Sequence, residues 1–210
     1  AYRKNHRRDE GIMLKVYIAD TGGIDTSAAY PLSDYRRERV GCLRVPEKIR
    51  ESIGAELLLN HAVKELFPAA GIPLDITCSG YGKPEISGGE FHFSLSHSNG
   101  RVLCAVSDSA VGADIQYISA FHDSVARRFF AADEREYILS RPDRDAAFTG
   151  IWCRKESYIK ALGTGLATPL ESFSVIGRSD IFSTVTGKHH IALCVPGGID
   201  AAPEITEILL

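Results

Sequence analysis

The segment IWCRKESYIK, Ile151–Lys160, sits inside a run of helical character from Asp143 to Leu162 that Gly163 brings to a stop. A chain that carries it must seat one long helix against a sheet or a second helix. Helical spacing puts Glu156 and Lys160 one turn apart on one face, with Trp152 a turn below them. Upstream, VGADIQYI, Val111–Ile118, reads as a strand with Asp114 and Gln116 on one side and Ala113 and Ile115 on the other. Its flanking valine and isoleucines argue for deep placement, where an aspartate needs a partner. Gly112 marks a close backbone approach or a bulge. Two oxygen donors from a strand, a carboxylate from a helix and an ammonium beside it suit a hard cation that holds a phosphate.

The remaining chain is read for what supports that site. Met13–Ala19 alternates as a strand and ends at a turn signal, Asp20–Gly23. Ser33 is placed to cap a helix in DYRRERVGCLR, which gathers Arg36, Arg37, Arg39 and Arg44. A second helix starts with Pro46 at its first position and runs to about Phe67, with Ile49, Ile53, Leu57 and Val63 at helical spacing and Lys48, Arg50 and Ser52 in its early turns. By itself such a basic cluster reads first as a solvated helix face and only second as an anion site. GYGKP, Gly80–Pro84, forms a turn with accessible backbone and one cation, Lys83. FHFSLS, Phe91–Ser96, reads as a strand, HSNG as the turn after it, and RVLCAVS as the returning strand. Ser96, His97 and Ser98 then offer hydroxyl and imidazole donors at a strand end, although a turn histidine alone is more often a surface or structural residue. Asp123–Phe130 and Asp133–Ser140 read as helices, with Phe129 and Phe130 turned to the core, and Ser172–Ile176, Ile181–Thr186 and His190–Val195 as closing strands. Consecutive strands mixed with helices in each half argue for an α+β fold. Ala1–Glu10 reads as a loose charged leader.

Composition narrows the function classes. With 44% hydrophobic residues in 210, the chain can fill a substantial core. A net charge of -3 and a pI near 6.2 exclude a dedicated nucleic-acid binder. Five cysteines, Cys42, Cys78, Cys104, Cys153 and Cys194, are odd in number and lack a CxxC pair, which favours buried thiols in a reducing cytoplasm over a disulfide frame or a zinc site. No apolar run has the length of a membrane span, so a soluble cytoplasmic monomer is expected.

In order, GYGKP, FSLSHS, VGADIQ, RRFF and WCRKESYIKALGTGL with PLESFSV beyond it closely resemble the motifs of the Sfp-type 4′-phosphopantetheinyl transferases. The resemblance covers most of the chain, from about Leu32 to Val175. It implies a pseudo-dimer of two similar α+β halves with the active site between them, divided as residues 1–107 on the coenzyme phosphate side and 108–210 on the metal and catalytic side. It implies transfer of the phosphopantetheine arm of coenzyme A to a serine of an acyl, peptidyl or aryl carrier protein, with Mg2+ and with release of adenosine 3′,5′-bisphosphate, as in holo-carrier-protein synthases. Residue by residue, Asp114 and Glu156 match the metal ligands, and Lys160 the catalytic lysine one turn on. Gln116 completes the metal set at a position where many relatives carry glutamate. Arg36 and Arg39 match phosphate-side basic residues, and Ser52, Ser96 and His97 match groups beside the 3′-phosphate. Tyr81, Gly82, Lys83 and Pro84 match the loop along adenine and ribose.

On this reading Glu156 is the general base toward the carrier serine and Lys160 stabilises the departing bisphosphate. Arg127 and Arg128 would steer an acidic carrier protein, and Tyr117, Ile118 and Phe121 would supply apolar contacts. Two other classes stay open on the residues alone: a non-catalytic coenzyme A or nucleotide-binding module, and a metal-dependent phosphoesterase.

Overall fold

The computed structural model describes residues 12–89 and 91–210, so the expected leader at Ala1–Glu10 lies outside the described residues. In chain order the elements are β1 (Leu14–Asp20), α1 (Asp34–Gly41), α2 (Pro46–Leu66), β2 (Ile76–Cys78), β3 (Pro84–Ile86), β4 (His92–Ser98), β5 (Arg101–Ser107), β6 (Gly112–Tyr117), α3 (Asp123–Phe129), α4 (Ala132–Leu139), α5 (Arg144–Leu162), β7 (Ile181–Thr186), β8 (His189–Cys194) and β9 (Ile205–Ile208).

Two halves repeat one topology. In the first, β1 pairs with β5, which pairs with β4; in the second, β6 pairs with β8, which pairs with β7, all antiparallel. Each half thus runs opening strand, long helix, then a hairpin whose second strand returns to the opening strand. The α+β pseudo-dimer is visible in this repeat. The symmetry breaks at β9, which crosses back to pair parallel with β1.

Four layers result. Tyr17, Ala19, Val102, Cys104 and Val106 face α2 residues Ala55, Leu58, Leu59 and Ala62, while Val16, Ile18, Leu103 and Ala105 face Ala113, Ile115, Ile191 and Leu193 of the second sheet. The other side of the second sheet carries α5. β1 is therefore buried on both faces, and its sequence reads as a continuous apolar run from Val16 to Ala19 rather than a clean alternation. Phe129 and Phe130 join Phe148, Ile151 and Trp152 beneath α3, as a core reading of those rings expects.

Local chemistry sets the element ends. Ser33 Oγ accepts the Arg36 N–H at 3.1 Å and caps α1; Pro46 opens α2; Asp143 Oδ1 accepts the Ala146 N–H at 2.9 Å and Gly163, at φ 70°, ends α5. Two expectations need correction. The turn after β4 is only Asn99-Gly100, both at positive φ, so His97 and Ser98 belong to the strand. Residues 172–176 form no strand, because their backbone polar groups are spent elsewhere: the Val175 N–H goes to Glu134 Oε1 at 2.8 Å, the Ile176 N–H to Ser174 Oγ at 3.1 Å, and the Phe173 carbonyl to Lys155 Nζ at 2.6 Å.

Candidate active site

β4 is the edge strand of the first sheet and β6 that of the second, and the site lies where these edges meet. Alternation along β4 decides which residues look across. Ser94 accepts the Ala113 N–H at 2.9 Å, Ser98 accepts the Tyr117 N–H at 3.0 Å, and between them Ser96 Oγ donates to Asp114 Oδ1 at 2.7 Å. His97 points the opposite way, toward α2.

Asp114 is 1% exposed and fully engaged. Besides Ser96, its Oδ1 accepts from Lys160 Nζ at 2.6 Å, and its Oδ2 accepts from Gln116 Nε2 at 3.0 Å. Lys160 also donates to the Ala113 carbonyl at 3.2 Å. The backbone makes this reach possible: a Cβ on Gly112 would lie 1.9 Å from the Ser157 carbonyl oxygen and 2.3 Å from the Ala161 nitrogen, so α5 rests directly on the strand. Glu156 lies one turn before Lys160. Burial pushes its carboxyl up, Asp114 adds to the rise, and Lys160 opposes it. Glu156 and Lys160 line a cavity of about 330 Å³ together with Tyr81, Gly82, Lys83 and Pro84. Lys83 is anchored there by a 3.1 Å hydrogen bond to the Val111 carbonyl, and burial lowers its pKa.

A second cavity, of about 620 Å³, is lined by Arg36, Arg39, Lys48, Ser52 and His97. Two fully buried carboxylates hold its cations. Glu56 accepts from the Ser33 N–H, from Ser33 Oγ at 2.9 Å and from Arg36 Nε at 3.2 Å, and Arg36 Nη1 reaches Ser52 Oγ at 3.3 Å. Glu51 accepts from Lys48 Nζ at 2.7 Å, from the Gly100 N–H at 2.8 Å and pairs with His97 Nδ1 at 2.9 Å. Burial pushes the Glu51 carboxyl up, but Lys48, the Gly100 N–H and His97 together hold it below the ordinary value. Arg39 stacks its guanidinium 5.5 Å from the Tyr35 ring centre.

The 4′-phosphopantetheinyl transferase superfamily model matches residues 110–197. The 4′-phosphopantetheinyl transferase psf-1 of Bacillus pumilus is 36% identical over 149 residues, 70% of this chain and 64% of that protein. The enzyme ffp of Bacillus subtilis is 30% identical over 166 residues, 78% of this chain and 74% of its own length. The chain belongs to the Sfp-type 4′-phosphopantetheinyl transferases. Sfp itself, from Bacillus subtilis strain 168, is 30% identical over 148 residues, 69% of this chain and 66% of that one. The matched region thus spans about two thirds to three quarters of these relatives.

Within this family member the structure sorts the expected residues into two groups. Asp114, Gln116, Glu156 and Lys160 come together with Ser96 and the loop Tyr81–Pro84. Arg36, Arg39, Ser52 and His97 come together in the other cavity. Ser96 therefore stands on Asp114 and not beside His97, because neighbouring strand residues face opposite ways. The four arginines near α1 do not form one cluster: Arg37 pairs with Asp34 at 2.6 Å, and Arg44 donates to the Gly41 carbonyl at 3.1 Å. The sequence reading gave no role to Glu51, Glu56 or Glu134. Their signal was available, since Glu51 and Glu56 fall among the apolar positions of α2 and Glu134 stands at N3 of α4, its Oε2 accepting the Ala131 N–H at 2.8 Å. Glu134 Oε2 also meets Lys155 Nζ at 2.8 Å, both side chains fully buried.

Among the described residues no three His, Cys, Asp or Glu side chains converge to hold a metal ion. The donor set at β6 and α5 is two carboxylates and an amide, Asp114, Glu156 and Gln116. That fits magnesium better than a tighter-binding metal, since magnesium takes one or two carboxylates and completes its shell with water and substrate phosphate. Burial first and the negative Asp114 second push the Glu156 carboxyl up, against Lys160, so a cation shared by the two carboxylates would relieve their repulsion.

Proposed function

We propose that this chain transfers the 4′-phosphopantetheine moiety of coenzyme A to a serine hydroxyl of a carrier protein, releasing adenosine 3′,5′-bisphosphate. The observation that carries the proposal is Glu156 with its raised carboxyl, set beside the engaged Asp114–Lys160 pair in an open cavity. Family membership supplies the reaction class. The halves would divide at residues 107/108, the first holding the coenzyme's adenosine phosphates and the second the reacting centre.

Asp114, Glu156 and Gln116 would hold Mg2+, which supplies charge neutralisation at the pyrophosphate when bound. Arg36, Arg39, Lys48, Ser52 and His97 present three fixed cations, an imidazole and a hydroxyl, a set matched to a phosphate monoester such as the coenzyme's 3′-phosphate. The loop Tyr81–Pro84 lines the reacting cavity in this structure, so it would contact the coenzyme between its adenosine and its arm. Glu156 would take the proton of the incoming serine; a carboxyl held above its ordinary value is a stronger base for that step than a free one. Lys160 would hold charge on the departing bisphosphate. Ser96 and Gln116 fix the Asp114 carboxylate, so that its geometry is set before substrate arrives.

The test is Glu156→Gln. Mass spectrometry of a carrier domain incubated with coenzyme A and Mg2+ should show a gain of about 340 Da with the wild-type chain and none with the variant, while coenzyme A binding is kept. Near-normal turnover by the variant removes Glu156 from the base role. A gain that never appears with the wild-type chain, alongside intact coenzyme binding, returns the reading to a binding module.

A further inference from the structure

The five cysteines divide sharply by environment. Cys104, Cys153 and Cys194 are buried, and burial pushes their thiols up, Cys194 to about 12. Cys42 and Cys78 are exposed, although the sequence favours buried thiols. Cys42 is the C-cap of α1 and Cys78 the last residue of β2, two elements that pack together. Both thiols line the cavity that also holds Arg36, Arg39, Lys48 and His97, together with the carboxylate of Glu38.

We propose that Cys42 and Cys78 form a thiol-modification site in this cavity, reacting with anionic low-molecular-weight disulfides and so closing the cavity to its phosphate ligand. The cations that suit a phosphate also draw a carboxylate-bearing disulfide to the same place, where both exposed thiols are open to it. The cysteine thiolate attacks one sulfur, the reagent's S–S bond breaks, a protein–S–S–R bond forms, and the second half leaves as a thiolate that takes up the proton the cysteine gave. The cysteine is oxidised and the released half reduced, so no further co-reactant is needed. The tethered group then fills the cavity and sets its own carboxylates against Arg36, Arg39 and Lys48. The consequence for activity rests on the reading of this cavity as the coenzyme's phosphate site; the reactivity of the thiols does not.

The experiment treats the full chain with glutathione disulfide and follows it by intact and peptide mass spectrometry. Adducts of about 305 Da are expected on Cys42 and Cys78 and not on Cys104, Cys153 or Cys194. Adenosine 3′,5′-bisphosphate present during treatment should slow them, and treatment should weaken binding of that nucleotide by tenfold or more, reversibly with dithiothreitol. Cys42→Ser, Cys78→Ser and the double variant are each compared with their own untreated samples; the double variant should lose the effect. Labelling that leaves nucleotide binding unchanged overturns the proposal, as does an internal Cys42–Cys78 disulfide in place of adducts, or no reaction at either thiol. If the reduced, untreated chain does not bind the nucleotide, the phosphate reading of the cavity fails and the blocking step fails with it, even where both thiols are labelled.

Discussion

Replacing Gly112 by alanine should damage the reaction more than the fold, and the size of the effect can be worked from the packing. The new methyl carbon would stand 1.9 Å from the Ser157 carbonyl oxygen and 2.3 Å from the Ala161 nitrogen, both backbone atoms of α5. Ordinary contact begins near 3.4 Å, so strand and helix must part by about 1.5 Å along that line. No side-chain rotation relieves the clash. Overpacking of this kind costs about 1–3 kcal/mol of stability. The same separation acts directly on the site, because Ser157 and Ala161 flank Glu156 and Lys160 in sequence while Asp114 lies two residues from Gly112. The Lys160–Asp114 contact of 2.6 Å would open, and Glu156 would move with its helix. A misplacement near 1 Å at a reacting group costs about a hundredfold in rate. Steady-state transfer to a carrier domain, measured beside urea unfolding, checks both figures. A variant with turnover within threefold of the wild type and an unchanged unfolding midpoint would refute the claim that α5 is seated on Gly112.

Three further outcomes are expected. Lys155→Met should cost about 3–5 kcal/mol in urea unfolding, because it leaves the fully buried Glu134 without its counter-ion and frees the Leu170 and Phe173 carbonyls; a loss below 1 kcal/mol would show the pair to be dispensable. Mg2+ alone should bind weakly, since Gln116 brings no charge, and Gln116→Glu should tighten it in calorimetry without coenzyme A present; equal affinities would take position 116 out of the metal site. Burial holds His97 below the ordinary imidazole value of 6.5 against the pull of Glu51. The charged ring is therefore populated only as pH falls below that value, and its help to a bound phosphate is lost as pH rises through the lowered pKa. The affinity gap for adenosine 3′,5′-bisphosphate between wild type and His97→Gln should shrink between about pH 5 and pH 8; a constant gap would mean that His97 acts by shape and not by charge.

The long helices were readable because their signals are local. Ser33, Asp143 and Gly163 mark helix ends through hydrogen bonds to residues only a few positions away, and Pro46 does so through its fixed φ. Residues 172–176 misled for the opposite reason, since their hydrogen-bond partners, Glu134 and Lys155, come from distant helices. β9 was missed likewise: its four residues gain their pairing from β1, at the other end of the chain.

The sequence by itself placed Glu156 with Lys160 and Asp114 with Gln116, because one helical turn and one strand repeat fix those pairs within a single element. It also carried the family, through motifs whose order needs no coordinates. Only the tertiary structure joined the pairs, with Lys160 on Asp114 across 46 positions. It also separated Ser96 from His97, adjacent in the chain and 180° apart on the strand, and it buried Glu51 and Glu56 as anchors for Lys48, His97 and Arg36 in the second cavity. A carboxylate on a helix is ordinary in sequence. Its role is decided by which donors the packing brings to it once water is excluded.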